Sequence, residues 1–157
     1  MRKKDIQKVI SIGQRWVEVN QICNDYGILA IYAFGSMAEK VIPLLKGEKP
    51  DEIADPLADL DIGVVFYEKP SAPAERIKLY GKLYSGLSEV FSPFRLDLVF
   101  LQETGVILQF EAINGILLYS DDDDKRLEYE EYVIKFYQDW KPDYDQYIKE
   151  VLEAISR

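Results

Sequence analysis

Apolar residues near the start of the chain (Ile6, Val9, Ile10, Trp16, Val17, Val19, Ile22, Cys23 and Tyr26) recur at three- and four-residue intervals, and the pattern stops at Gly27. That period marks one face of a helix and predicts a long amphipathic element whose apolar side covers a sheet. Residues 28–34 are continuously apolar and too few for a surface helix, so they read as a buried strand. Gly35-Ser36 closes that run. Residues 37–41 then read as the start of a short helix with Ser36 at its N-cap, fading by Lys46-Gly47. Residues 47–58 hold two prolines and a glycine without any period, which predicts a loop.

Leu60 to Phe66 reads as a second strand. A helix follows from about Ser71, with Ile77, Tyr80, Leu83, Tyr84, Leu87, Val90 and Phe91 in one stripe, until Ser92-Pro93 stops it. Residues 94–101 form a third strand in which Phe94, Leu96, Leu98 and Phe100 share an apolar face and Arg95 and Asp97 lie on the other. Residues 106–114 suggest another helix, Gly115 its stop, and Ile116 to Tyr119 a short apolar run. Two helical stripes end the chain, one from Tyr129 to Trp140 and one from Tyr144 to Ile155, with Lys141-Pro142 read as the break between them. Strands alternating with helices, then a helical tail, predict an α+β (or α/β) domain with a small central sheet. The expected layout is a single domain over 1–157, with an N-terminal helix at 1–27, a core at 28–120 and C-terminal helices at 121–157.

Composition narrows the function classes. The net charge of −9 opposes generic binding to a nucleic-acid backbone, and leaves a basic protein partner or a metal-neutralised nucleotide as compatible ligands. Histidine is absent, so Ser-His-Asp, Cys-His and histidine–metal chemistry are excluded. The single cysteine, Cys23, cannot form an internal disulfide and is expected to be a small core residue. No apolar run has the length of a membrane span or a signal peptide, and the expected location is cytoplasmic. The pattern leaves self-association open.

The candidate chemistry lies at the strand ends. A glycine lets the backbone turn sharply and approach a ligand, and a helix start suits a phosphate, which makes Gly35 and Ser36 a candidate anion cradle. Asp59 and Asp61 alternate with Leu60 and Ile62, so both carboxylates leave one face of a strand, as a hard divalent cation such as Mg²⁺ requires. Asp97 stands on a separate strand with the facing needed to converge on them. The competing reading is strand-end acids paired with lysines. Asp143/Asp145 and Asp121–Asp124 repeat the same spacing, but the first pair falls in a predicted helix, where such spacing does not share a face, and the second reads as a solvated loop.

Ala33-Phe34-Gly35-Ser36, Asp59-Leu60-Asp61-Ile62-Gly63-Val64-Val65 and Arg95-Leu96-Asp97-Leu98-Val99 together resemble the three signature segments of the polymerase-beta superfamily, in particular its minimal nucleotidyltransferases. The resemblance reaches the tail, where residues 113–119, 129–132 and 137–140 are similar to the closing part of the MntA-type antitoxins. It implies that Gly35 and Ser36 hold the triphosphate of ATP, that Asp59 and Asp61 ligate two Mg²⁺ ions, and that Asp97 completes the metal site and helps deprotonate the attacking hydroxyl. By the same resemblance the reaction is transfer of AMP to a hydroxyl, a tyrosine of a HEPN-type ribonuclease toxin.

Two features depart from that family's pattern. Residues 37–58 separate Ser36 from Asp59 by more than the family spacing, so 47–58 reads as an insertion, and Glu39-Lys40 stands where the family often has Arg-Gly. Arg95 is expected to reach a phosphate or to pair with one of the acids. The aromatic stripes of the tail read first as core, with a toxin-binding surface as the alternative. Two other functions share this fold: a transferase acting on a small molecule such as an aminoglycoside, and a non-catalytic binding module.

Overall fold

The computed structural model describes residues 3–48, 58–70 and 72–156. In chain order the elements are α1 (Lys3–Tyr26), β1 (Ile28–Phe34), a 3-10 turn (Ala38–Lys40), α2 (Val41–Leu45), β2 (Asp59–Phe66), α3 (Pro73–Val90) and β3 (Arg95–Phe100). A second 3-10 turn (Leu101–Glu103), α4 (Val106–Ile113), β4 (Ile116–Ser120) and α5 (Asp123–Ile155) complete it. The sheet order is β3-β2-β1-β4. β1 is antiparallel to both β2 and β4, whereas β2 and β3 are parallel and joined through α3. The result is a mixed four-stranded α+β sheet, as the alternating pattern predicts.

β1 occupies the middle of the sheet and is buried along its whole length, which is why its sequence shows no alternation. β2 and β3 alternate instead at their starts. Leu60, Ile62, Leu96 and Leu98 point into a core shared with Val19 and Cys23 of α1, Leu44 and Leu45 of α2, and Leu83 and Leu87 of α3. Fully burying a Leu or Ile side chain contributes roughly 2 kcal/mol, so this layer fixes the strand register against a one-residue slip. The opposite face packs Leu29, Tyr32, Phe34 and Val65 against Ala112 and Leu108 of α4 and Tyr129 of α5. Burial pushes the Cys23 thiol up to about 12, which fits a core residue and not a nucleophile.

Several expectations are corrected. Ser36 does not cap a helix: the turn enters a 3-10 segment whose N-cap is Met37, and no side chain caps it. Lys141-Pro142 does not break the tail, because α5 runs continuously with Pro142 inside it. The stacked rings of Trp140 and Tyr144, 4.5 Å apart, and the Lys141–Asp145 ion pair at 2.7 Å bridge the proline on the outside of the helix. Residues 121–124 are not a loop throughout: Asp122 caps α5 by accepting from the Lys125 amide, and Asp123 and Asp124 lie in its first turn, where acids favour the helix dipole. Ile77 and Val17, assigned to apolar stripes, are 67% and 64% exposed. The tail stripes are not core either, since of α5 only Val133 is fully buried. The predicted loop lies mostly outside the described residues.

Candidate active site

The site forms where β1, β2 and β3 begin or end together. β1 pairs with β2 so that its last residue, Phe34, stands beside Asp61. The parallel β2–β3 ladder then sets Asp59 beside Arg95 and Asp61 beside Asp97. Because Leu60, Ile62, Leu96 and Leu98 are committed to the α1/α3 core, all three aspartates must leave the opposite face. The two signature strands therefore bring together the acids that sequence spacing singled out.

Gly35 makes this convergence close. Its φ of +76° is the left-handed conformation that residues with a Cβ avoid, and a Cβ added there would lie 2.3 Å from Oδ2 of Asp61. The turn thus passes its bare backbone against the carboxylate, and Ser36 follows it, exposed, at the mouth of the site. No helix of useful length begins at Ser36, so what the turn offers a phosphate is backbone amide and hydroxyl, without a helix dipole.

The electrostatics are strained by like charge. Asp61 is pushed up from 3.8 to about 6, first by burial, then by a hydrogen bond and charge from Asp97, then by the charges of Asp59 and Glu111. Arg95 Nε donates to Asp59 Oδ1, so the strand-end pairing expected for Arg95 is present at one of the three acids. Among the described residues no group of three acidic or sulfur side chains is gathered as a ready metal cage. The donor set nonetheless suits a hard cation: two carboxyls stand side by side across one ladder rung, a third lies two residues away on the same face, and the charge missing from the cluster is positive.

Glu111 was not among the residues singled out by sequence. It is the one acid in the apolar run of α4, VILQFEAI, and an exposed acid there is the local signal that points to it. A cleft of about 610 Å³ opens between Phe34, Gly35, Ser36, Ala38 and Glu39 on one side and Glu111, Asn114, Gly115 and Ile116 on the other. Gly115 is required where α4 meets β1, since a Cβ there would lie 2.3 Å from the Ala33 carbonyl oxygen. Glu39 lines this cleft, whereas Lys40 does not.

A mixed sheet that presents acids from two parallel strands beside a tight glycine turn is the architecture of a nucleotidyltransferase. The polymerase beta nucleotidyltransferase family profile matches residues 18–124, and the chain belongs to that family. No curated protein gives a significant sequence match. Among solved structures, a toxin–antitoxin with AMP-PNP is similar at a TM-score of 0.60 and 21% identity, over 87% of this chain and 98% of that chain. The MntA–HepT toxin–antitoxin is similar at 0.57 and 20%, over 88% and 97%. A tri-AMPylated Shewanella oneidensis HEPN toxin in complex with an MNT antitoxin is similar at 0.57 and 20%, over 88% and 97%. At such identities these likenesses establish the fold.

Proposed function

We propose that the protein is a Mg²⁺-dependent adenylyltransferase that moves AMP from ATP to a tyrosine of a HEPN-type toxin and so acts as its antitoxin. The observation that carries the reading is the ladder register that sets Asp61 beside Asp97, with Asp59 on the same face and Gly35 against Asp61. The toxin as acceptor is supported by what the similar structures contain, an AMPylated HEPN toxin and an ATP analogue.

In this reading Gly35 and Ser36 hold the triphosphate with amide and hydroxyl donors. Asp59, Asp61 and Asp97 would hold two magnesium ions, which would supply positive charge for the pyrophosphate leaving group and a lowered pKa for the acceptor hydroxyl. Asp97, the exposed member of the trio, accepts the proton of the acceptor hydroxyl as its oxygen attacks the α-phosphorus. The bond to the β-phosphate oxygen breaks and pyrophosphate leaves towards Ser36. Arg95 holds Asp59 at the edge of the site by donating from Nε to its Oδ1.

Residues 28–120 are the catalytic core, with 1–27 as covering helix and 121–157 as the partner-binding extension. No helix among the described residues is long and apolar enough to cross a membrane, and a cytoplasmic location fits the free thiol. The partner surface is α5, whose Tyr132, Phe136, Tyr147, Leu152 and Ile155 are half or more exposed, the aromatics among them being typical of interface cores.

The test is incubation with ATP, Mg²⁺ and a candidate HEPN-type toxin, followed by intact-mass measurement. A mass gain of one AMP per modified tyrosine is expected. An unmodified toxin that is still silenced would instead mark a module that neutralises by contact alone.

A further inference from the structure

β3 is an outer strand of the sheet: β2 pairs with one of its edges, and among the described residues no strand pairs with the other. An open edge offers backbone donors and acceptors to another chain, and folded proteins normally block it. Here the block is slight. From the α3 side the Tyr80 phenol donates to the Leu98 carbonyl at 3.0 Å, which caps one group of the edge. Burial first, and then the Asp97 charge, hold that phenol above its usual range, so the capped edge and Asp97 are neighbours.

A cleft of about 340 Å³ lies along the same edge, lined by residues 98–100 of β3, by Arg76 and Tyr80 of α3 and by Thr104 beyond the strand. Its full charges are spent on each other: Arg76 pairs with Glu103 at 2.6 Å, and its guanidinium lies 5.5 Å over the Phe100 ring. The cleft therefore offers an occupant a strand backbone on one side and aromatic rings on the other. Such a lining suits an extended polypeptide, whose main chain pairs with the edge while its side chains alternate between the two faces.

Position gives the occupant its role. A strand added to β3 places one residue opposite Asp97 with its side chain on the Asp97 face, as Asp97 itself stands opposite Asp61. The residues on either side of it turn to the α3 face, where Arg76 and Tyr80 line the cleft. We propose that the outer edge of β3 receives the acceptor segment of the protein substrate as an added strand, which delivers the acceptor tyrosine to Asp97. There the phenol oxygen attacks the α-phosphorus, its proton passes to Asp97 and pyrophosphate leaves. Three aspartates at the head of this edge, in a chain of net charge −9, favour a segment with Lys or Arg beside the tyrosine. The inference rests on the nucleotidyl-transfer reading and concerns how the acceptor of that reaction is held.

Initial rates of AMP transfer to a candidate HEPN-type toxin, with toxin varied at saturating ATP and Mg²⁺, test it on the wild type, Thr104→Arg and Tyr80→Phe. Thr104→Arg fills the cleft with a long charged side chain and is expected to raise KM for the toxin at least about tenfold with little change in kcat, the signature of lost acceptor binding. Tyr80→Phe keeps the ring but frees the Leu98 carbonyl for the added strand, so KM should fall about two- to tenfold, the worth of one backbone hydrogen bond. A phenol with a purely structural role would give no such gain. An unchanged KM in Thr104→Arg, or an unchanged or raised KM in Tyr80→Phe, would overturn the edge assignment and leave the transferase reading intact. Wild type that modifies no such toxin would overturn both. Calorimetry with ATP and Mg²⁺ should give all three proteins the same affinity, and a weakened one in either variant would move the cleft to nucleotide binding and overturn the assignment. Thermal melts confirm that the KM changes come from folded protein.

Discussion

Asp97 stands directly beside Asp61 across the parallel β2–β3 ladder, on the same face of the sheet. Burial and this neighbour raise the Asp61 carboxyl from 3.8 to about 6. A raised acid binds its proton more tightly in the folded state than in the unfolded chain, so without metal the stability falls as pH rises from about 4 to about 6 and then levels. Asp61→Asn removes the repulsion. In EDTA at pH 8 it is expected to be more stable than wild type by roughly 1 kcal/mol, a figure discounted for the solvent that screens a half-exposed group. The advantage should vanish at pH 4. Urea unfolding at both pH values checks it, and an Asp61→Asn protein less stable than wild type at pH 8 would refute it.

Gly35→Ala should be disabling although it adds one methyl group. The left-handed φ costs about 1–2 kcal/mol for a residue with a Cβ, and the methyl would sit 2.3 Å from the Asp61 carboxylate. Displacing a catalytic group by an ångström costs on the order of a hundredfold in rate. Turnover should therefore fall at least that far while the melting temperature drops by only several degrees. Activity within a few-fold of wild type would contradict the close approach.

Arg95 pairs with Asp59, and in the proposed metal site it would compete there with the cation. In Arg95→Gln the neutral side chain leaves the carboxylate free, and Mn²⁺ titrated in place of Mg²⁺ should bind about two- to fivefold more tightly, the scale of an exposed ion pair. Weaker Mn²⁺ binding in this variant would show that Arg95 supports the metal site.

If α5 is the partner surface proposed above, its exposed residues can be changed without unfolding the protein. Phe136 is 50% exposed and Tyr147 60%, so Phe136→Glu with Tyr147→Glu should change stability by no more than about 1 kcal/mol in total. Co-purification with the toxin is expected to be lost. Retained co-purification would move the interface elsewhere.

The strands and their acids were legible because a period of two is a local property: once Leu60, Ile62, Leu96 and Leu98 face a core, the positions of Asp59, Asp61 and Asp97 follow. The Gly35 turn was legible for the same reason. Ser36 as a cap was not, because the choice between an α-helix and a 3-10 turn depends on how residues 37–45 settle against α1 and the sheet. Pro142 misled because the usual cost of an internal proline, about 3 kcal/mol, is partly offset by the ring stack and ion pair that span it. The tail stripes have helical periodicity whether or not anything covers them, so sequence could not tell core from interface. Glu111 became visible only when α4 was seen to end against the Gly35 turn.

The most direct measurement is transfer of α-labelled AMP from ATP to the HEPN-type toxin, at saturating Mg²⁺, by wild type and by Asp59→Asn, Asp61→Asn and Asp97→Asn. If these three side chains jointly hold the metal and Asp97 takes the proton, each single variant loses at least about a hundredfold in rate while staying folded. Wild-type transfer by Asp97→Asn would contradict the account, because the ladder that brings Asp97 to Asp61 would then have no part in the reaction.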